Sequence, residues 1–454
     1  MHPDCGWPEQ LRRLRRRAAW AAVVVLVASV PLVVFALVGL PHVFRNPLVR
    51  NVLAPAPGAG VPAADAPRFD ETVALLTGTP LAAGHRIELL ANGDATFPRL
   101  WGDLRGARRS ITVQMYYAGP GSVADSAARI LAERARAGVD VYFLYDAFGA
   151  QDLPRRYLDS LQAAGVRTAE FRPVRWYALD RANHRSHVRG VVVDGSVAYT
   201  GGFGLDDKWL GAGRRPREWR ETNARFTGPA VAQLQAVFVA KWAEATGSLL
   251  ATDRLLAPVR HAATAAPNGG GAAEAALLYS PPVTGSTTAE RLLALSIAGA
   301  RRRLYIANAY FVPHADFVQL LAAAARRGVD VRVLTNSAQT DVKSTWLAGR
   351  SRYEALLGAG VRIYEYQPTT IHAKTLVADG AWAVVATMNF DNRSLAYNNE
   401  VALMAHDPRL GASMDSLFLA DLAFAQEIRL AEFRRRPWTA RLLERGASVI
   451  AGLL

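Results

Sequence analysis

Cysteine is nearly absent from this chain of 454 residues, with Cys5 alone. That excludes an internal disulfide framework and any cysteine-built zinc site. Proline (24) and glycine (36) are too sparse for a fibrous or low-complexity chain, and a 51% hydrophobic content against 20% charged residues excludes disorder. Acidic residues are also in short supply: 39 Asp and Glu face 53 Lys and Arg, for a net charge of +14. Such a balance favours partners bearing phosphate, either nucleic acid or an anionic membrane surface. At about 100–200 residues per domain, the length predicts several folded units with ample core.

No Asp, Glu, Lys or Arg occurs between Arg17 and Arg45, and AAWAAVVVLVASVPLVVFALVGL, from Ala18 to Leu40, is 23 residues long. At about 1.5 Å per residue it crosses a bilayer core. A cleaved signal peptide would have an apolar region of only about 7–15 residues, so an uncleaved transmembrane helix is expected at 18–40, kinked at Pro31. Arg12, Arg13, Arg15, Arg16 and Arg17 precede it, while only Arg45 and Arg50 follow closely. The positive-inside bias then puts the basic N-terminus, 1–17, in the cytoplasm and the rest of the chain on the outer face of a bacterial cell membrane. Outside those five arginines, 48 basic residues face 39 acidic ones, leaving +9. No other run is long enough to span, so the chain is expected to be single-pass. APAPGAGVPAADAP lies in a predicted extended spacer at 41–69.

The remaining chain repeats itself. RARAGVDVYFLYD ends at Asp146 and AARRGVDVRVLTN at Asn336; LQAAGVR (Leu161 to Arg167) is echoed by LLGAGVR (Leu356 to Arg362). Offsets of about 190 residues are too long for a solenoid and indicate two similar domains. Apolar runs such as SITVQMYY, VDVYFLYD and RLYIANAYF alternate with helical stretches at 122–136 and 317–327, which predicts α/β layering. The expected units are 70–261 and 276–431, joined by a linker at 262–275 containing TAAPNGGGAAEA, and followed by a basic amphipathic tail at 432–454. That tail is read either as an interfacial helix or as a terminal helix packed on the second domain.

Each half carries one short strand-like segment with a histidine and a cation at the same spacing. HVRGVVVDG supplies His187, Arg189 and Asp194; HAKTLVADG supplies His372, Lys374 and Asp379. Residues i and i+2 of a strand share a face, so each histidine and its cation point the same way. Two imidazoles and two positive charges suit phosphodiester chemistry. The cations neutralise the anion, one imidazole attacks phosphorus, and the other shuttles the proton of the leaving and entering alcohols. No carboxylate cluster accompanies these motifs, so neither a metal nor another cofactor is expected.

Both segments resemble the HxKxxxxD motif of the phospholipase D superfamily. After the second come Thr387, Asn389, Arg393, Ser394, Asn398 and Glu400 in ATMNFDNRSLAYNNE, similar to the family's GSxN segment and the positions that follow it; after the first come Gly201 and Gly202 in TGGFG, then WRETNARFTGPA. LLANGDATFPRLWGDL, YFVP and RIYEYQPTTIHAK are similar, more narrowly, to bacterial cardiolipin synthases. The resemblance implies two pseudo-twofold-related α/β domains sharing one active site. By the same resemblance His187 is the nucleophile and His372 the general acid and base, with Glu400 orienting His187 and Glu221 orienting His372. An ordinary ion pair with Arg220 competes for Glu221. Two departures stand out: Arg189 where the family has lysine, and Gly204 where it has asparagine, which removes one donor from the phosphate cradle.

Three functions are therefore in play. The leading one is a membrane-anchored phosphatidyltransferase that joins two phosphatidylglycerol molecules into cardiolipin plus glycerol through a phosphohistidine. The others are a phosphodiester hydrolase, acting on lipid or nucleic acid, and a catalytically weak lipid-binding homologue. A phospholipid and the membrane are the expected partners, and nucleic acid is not. The oligomeric state is not legible.

Overall fold

The computed structural model describes residues 9–34, 36, 49–52, 60–173, 184–255, 273–282 and 285–450. The chain divides into an N-terminal unit, Met1–Asn46, and a body, Pro47–Gly452. The N-terminal unit contains helix α1, Glu9–Val34, which runs through Pro31. Its segment Arg13–Val33 has a mean hydropathy of 1.6 and no buried share, and is long and apolar enough to cross a membrane. A core helix of a soluble protein would be covered. Residues 35 and 37–40 of the expected span lie outside the described residues.

The body is built on one mixed sheet of 15 strands. In chain order they are β1 (Ala82–Ala91), β2 (Ser110–Met115), β3 (Asp140–Asp146), β4 (Arg167–Phe171), β5 (Gly190–Val193), β6 (Val197–Gly201), β7 (Thr222–Thr227), β8 (Ala273–Ser280), β9 (Arg303–Asn308), β10 (Asp330–Asn336), β11 (Arg362–Tyr366), β12 (Lys374–Ala378), β13 (Trp382–Ala386), β14 (Glu400–His406) and β15 (Ala425–Ile428). Their spatial order is β15-β11-β10-β9-β12-β13-β14-β8-β1-β7-β6-β5-β2-β3-β4. Apart from β15 this order is palindromic about the β8–β1 pair, so the pseudo-twofold repeat predicted from sequence is written in the topology. In each half three parallel strands, β2-β3-β4 or β9-β10-β11, join an antiparallel set through β5 or β12. The parallel strands read as near-continuous apolar runs because helices cover them.

Those helices keep the expected positions: Ser122–Arg136 in the first half and Ala315–Arg326 in the second, each burying one stripe. Each half has its own core, one around Ile111, Val141, Phe143 and Leu161, the other around Ile306, Phe317, Val333 and Ile363. A third core is shared, with Val188, Val192, Ala224 and Phe226 packing among Leu277, Tyr305, Val377 and Leu403. That shared core holds the two motif segments in register.

Three features lie at the expected boundaries. Within the expected spacer, 41–69, Ala64 is buried and donates its N–H to the Gly299 carbonyl, while Asp65 pairs with Arg302. Helix α2, Pro67–Thr77, packs on the second half: Phe69 and Val73 sit in its core, Phe69 lies edge-on to Trp382, and Asp70 accepts from His406. Finally, β8 begins at Ala273, inside the expected linker, whose residues 262–272 lie outside the described ones.

Candidate active site

The two motif histidines precede their strands instead of lying on them. His187 comes before β5 and His372 before β12, and each is held by backbone from the opposite half. The His187 N–H donates to the Asn399 carbonyl at 3.0 Å, and the Asn399 N–H donates to Arg185. In the same pattern the His372 N–H donates to Arg220 at 2.7 Å, and the Arg220 N–H donates to Thr370. Asn399 and Arg220 each come immediately before a glutamate. This register therefore brings Glu400 to His187 and Glu221 to His372.

The side chains complete that arrangement. His187 Nδ1 lies 2.9 and 3.0 Å from the two Glu400 carboxylate oxygens, and His372 Nδ1 lies 2.6 Å from Glu221 Oε2. With Nδ1–H donated to a carboxylate, each imidazole presents Nε2 as its free nitrogen. Glu221 and Glu400 are fully buried, unlike surface ion-pair partners. Arg220 does not compete for the Glu221 carboxylate, because its guanidinium is engaged by Asp421 at 2.7–3.0 Å. Thr387 donates its hydroxyl to Glu400 and accepts from the Val401 N–H. Asn398 adds a long contact of 3.4 Å.

Gly202 and Gly204 explain how the first half departs from the second. Gly202 corresponds to Thr387, but a Cβ there would meet Glu221 Oε2 at 2.2 Å. A Cβ on Gly204, which corresponds to Asn389, would meet the Trp209 ring at 2.7 Å. Trp209 thus fills the space that an asparagine would take. Its indole N–H donates to Glu221 at 3.3 Å, giving that carboxylate a donor as Thr387 does for Glu400. The lost asparagine is a replacement rather than a gap. Gly201, at φ +142, packs on Asn223.

Burial sets the electrostatics. It pushes the His187 imidazole down to about 4, against the pull of Glu400, with Arg189 and Lys374 adding to the depression. His372 is held well below its ordinary value by burial, then by Lys374, Arg189 and the His187 charge. Burial brings the Lys374 ammonium down to about 7, opposed chiefly by Glu221. Lys374 Nζ lies 3.0 Å from His372 Nδ1. Arg189 is 2% exposed, its Nε and Nη1 find no hydrogen-bond partner among the described residues, and Tyr116 and Trp209 wall it in. Asn389 is also buried with its Oδ1 unpartnered. A buried guanidinium without an acceptor is costly unless an anion completes it.

The two motif aspartates do not join this site. Asp194 accepts from the backbone N–H groups of Arg108, Arg109 and Ser110 at 2.7–3.1 Å, and Asp379 from those of Arg301, Arg302 and Arg303 at 2.7–3.0 Å. Both have φ +53 in the turn that closes their strands. They tie the far end of each motif strand to the segment that enters its neighbour, β2 or β9.

Several residues that complete the site carry no motif. Asp146 and Asn336, the last residues of the long repeat, accept the N–H of the residue before each histidine, Ser186 at 2.9 Å and Ile371 at 2.8 Å. Their shared place at the end of a repeated strand was the available signal. Trp219 and Trp209 pack around the His372 ring, and Tyr116 lies edge-on to His187. Lys208 stands 3.3 Å from the Tyr117 ring centre and 4.4 Å from that of Trp219, adding a third cation near His372.

The chain matches the family described as cardiolipin synthase, PLD-like domain, over residues 100–242 and 293–422. It is 33% identical over 376 residues to a cardiolipin synthase of Geobacillus kaustophilus (83% of this chain, 74% of that one). It is 34% identical over 367 residues to cardiolipin synthase 2 of Bacillus anthracis (80% and 70%). Among solved structures, phosphatidylserine synthase of Haemophilus influenzae superposes with a TM-score of 0.63 at 15% identity, covering 85% of this chain and 98% of that one, a likeness of fold. With two matched segments on the two halves of a palindromic sheet, the chain belongs to the PLD-like family of cardiolipin synthases, phospholipid-modifying enzymes of the phospholipase D superfamily.

Proposed function

We propose that this protein is a membrane-anchored phosphatidyltransferase that converts two molecules of phosphatidylglycerol into cardiolipin and glycerol. The observation that carries the reading is Arg189: a buried guanidinium with unpartnered N–H groups, beside two carboxylate-oriented imidazoles and a buried ammonium. A single phosphodiester anion satisfies all of them. The relatives named cardiolipin synthase support the lipid as its source.

In the first step Nε2 of His187 attacks phosphorus, forming a P–N bond as the P–O bond to the departing glycerol breaks. Burial keeps this imidazole unprotonated at neutral pH, so its lone pair is available. The bound anion offsets the positive field of Lys374 and Arg189 and lets His372 hold a proton, which passes from its Nε2 to the glycerol oxygen. In the second step His372 takes the proton of a hydroxyl on a second phosphatidylglycerol, whose oxygen displaces His187. Arg189 can grip two phosphate oxygens at once, whereas Lys374 acts as a point charge.

Helix α1 anchors the chain in this reading, with its arginine-rich start in the cytoplasm and the body outside; protease protection of the body in inside-out vesicles supports that orientation, and its digestion reverses it. The chemistry is tested by incubating the purified full-length protein with headgroup-labelled phosphatidylglycerol. Cardiolipin and free glycerol in equal amounts support the transferase. Phosphatidic acid as the main product makes the protein a hydrolase, and the absence of product makes it a binding protein.

A further inference from the structure

The C-terminal helix, Trp438–Ile450, presents two opposed faces. On one, Glu444 is 2% exposed and accepts from Arg350 at 3.2 Å and Arg436 at 2.9 Å, while Ala447 packs with Val312 and Ala348. On the other, Trp438, Leu442 and Val449 are 73%, 62% and 72% exposed. At about 100° per residue these three fall within roughly 40° of one another and about opposite the buried pair. The exposed Arg441 and Arg445 lie on one flank of this arc, with Arg435 just before the helix. The buried ion pairs hold this orientation, so the apolar face points outward in the folded protein.

We infer that this face docks on an anionic bilayer surface, forming a membrane contact separate from α1. Charge selects the occupant: anionic headgroups complement Arg435, Arg441 and Arg445, and Trp438 suits the interfacial depth. The helix is braced through Val312 on the segment that carries Tyr310, whose ring lies 6.3 Å from that of His372. Docking there ties the lipid surface to one wall of the active site. This inference rests on the reading that the substrate is a membrane lipid, but its readout needs no turnover.

The test uses full-length Cys5→Ser protein in nanodiscs, with an environment-sensitive fluorophore on Leu442→Cys or, as a control, on the exposed Ser413→Cys. Lipids carrying a shallow quencher should quench the 442 probe several-fold more than the 413 probe. Phosphatidylglycerol should strengthen the difference, and salt should weaken it. Equal quenching at both sites overturns the inference, as does energy transfer between labelled copies without lipid quenching, which would mean that a second copy covers the face. Product formed without preferential quenching leaves the proposed chemistry standing and removes the docking; quenching without product does the reverse.

Discussion

At the scale of single residues, two buried carboxylates orient the two imidazoles. Glu400 fixes His187 and is itself supported by Thr387; Glu221 fixes His372 and is supported by the Trp209 indole. Substituting Glu400→Gln keeps the shape but loses the charge that favours Nδ1–H, so kcat should fall by on the order of 10²–10⁴ with the protein still folded, as measured by turnover beside circular dichroism. The cations predict a pH profile. Lys374, brought down to about 7, is charged below that pH and neutral above it. Activity of the free enzyme, as kcat/KM, should therefore decline on the alkaline side from about that value. Lys374→Arg should retain measurable turnover and move the decline upward by more than a unit, because guanidinium does not titrate there. An unmoved limb would assign it to another group. The histidines and their cations were legible because one motif occurs twice. Trp209 was not, since its role comes from filling the volume left by Gly204 and donating to Glu221, which no spacing records.

At the scale of elements, the motif aspartates act on structure. Each collects three backbone N–H groups that begin a neighbouring strand, β2 or β9. Asp194→Ala or Asp379→Ala should lower unfolding stability by about 2–4 kcal/mol, read from denaturant midpoints, while turnover per folded molecule stays near that of the parent. A large loss of kcat with unchanged stability would return them to the chemistry. Strands β2, β3, β9 and β10 could be read from their apolar runs, because parallel strands under helices are apolar on both faces. Helix α2 could not be assigned to a half. Phe69 and Val73 mark one buried face, but the surface that receives them is set by tertiary packing about 220 residues away in sequence, against Ala289, Leu292 and their neighbours. The histidine segments read as strand for a related reason: their extended backbone pairs with Asn399 and Arg220 of the opposite half, a partner that local pattern does not reveal.

At the scale of the whole molecule, the candidate site is assembled from two halves of a single sheet. The buried Arg220–Asp421 pair joins the first-half residue beside Glu221 to the second-half helix Pro408–Leu422. Asp421→Ala leaves that guanidinium unpaired and should cost about 3–5 kcal/mol. It should also raise the temperature sensitivity of turnover, because the Arg220 backbone carries the His372 N–H. Passage of the phosphatidyl group through His187 leaves a trace that can be trapped. The full-length protein is mixed with phosphate-labelled phosphatidylglycerol, quenched rapidly under alkaline denaturing conditions, and the label is mapped by peptide mass. Transfer through His187 puts a phosphatidyl group on the peptide containing that residue, which unlabelled phosphatidylglycerol chases into cardiolipin. Product formed with no protein-bound phosphate at any time, or with the label on His372, would contradict it.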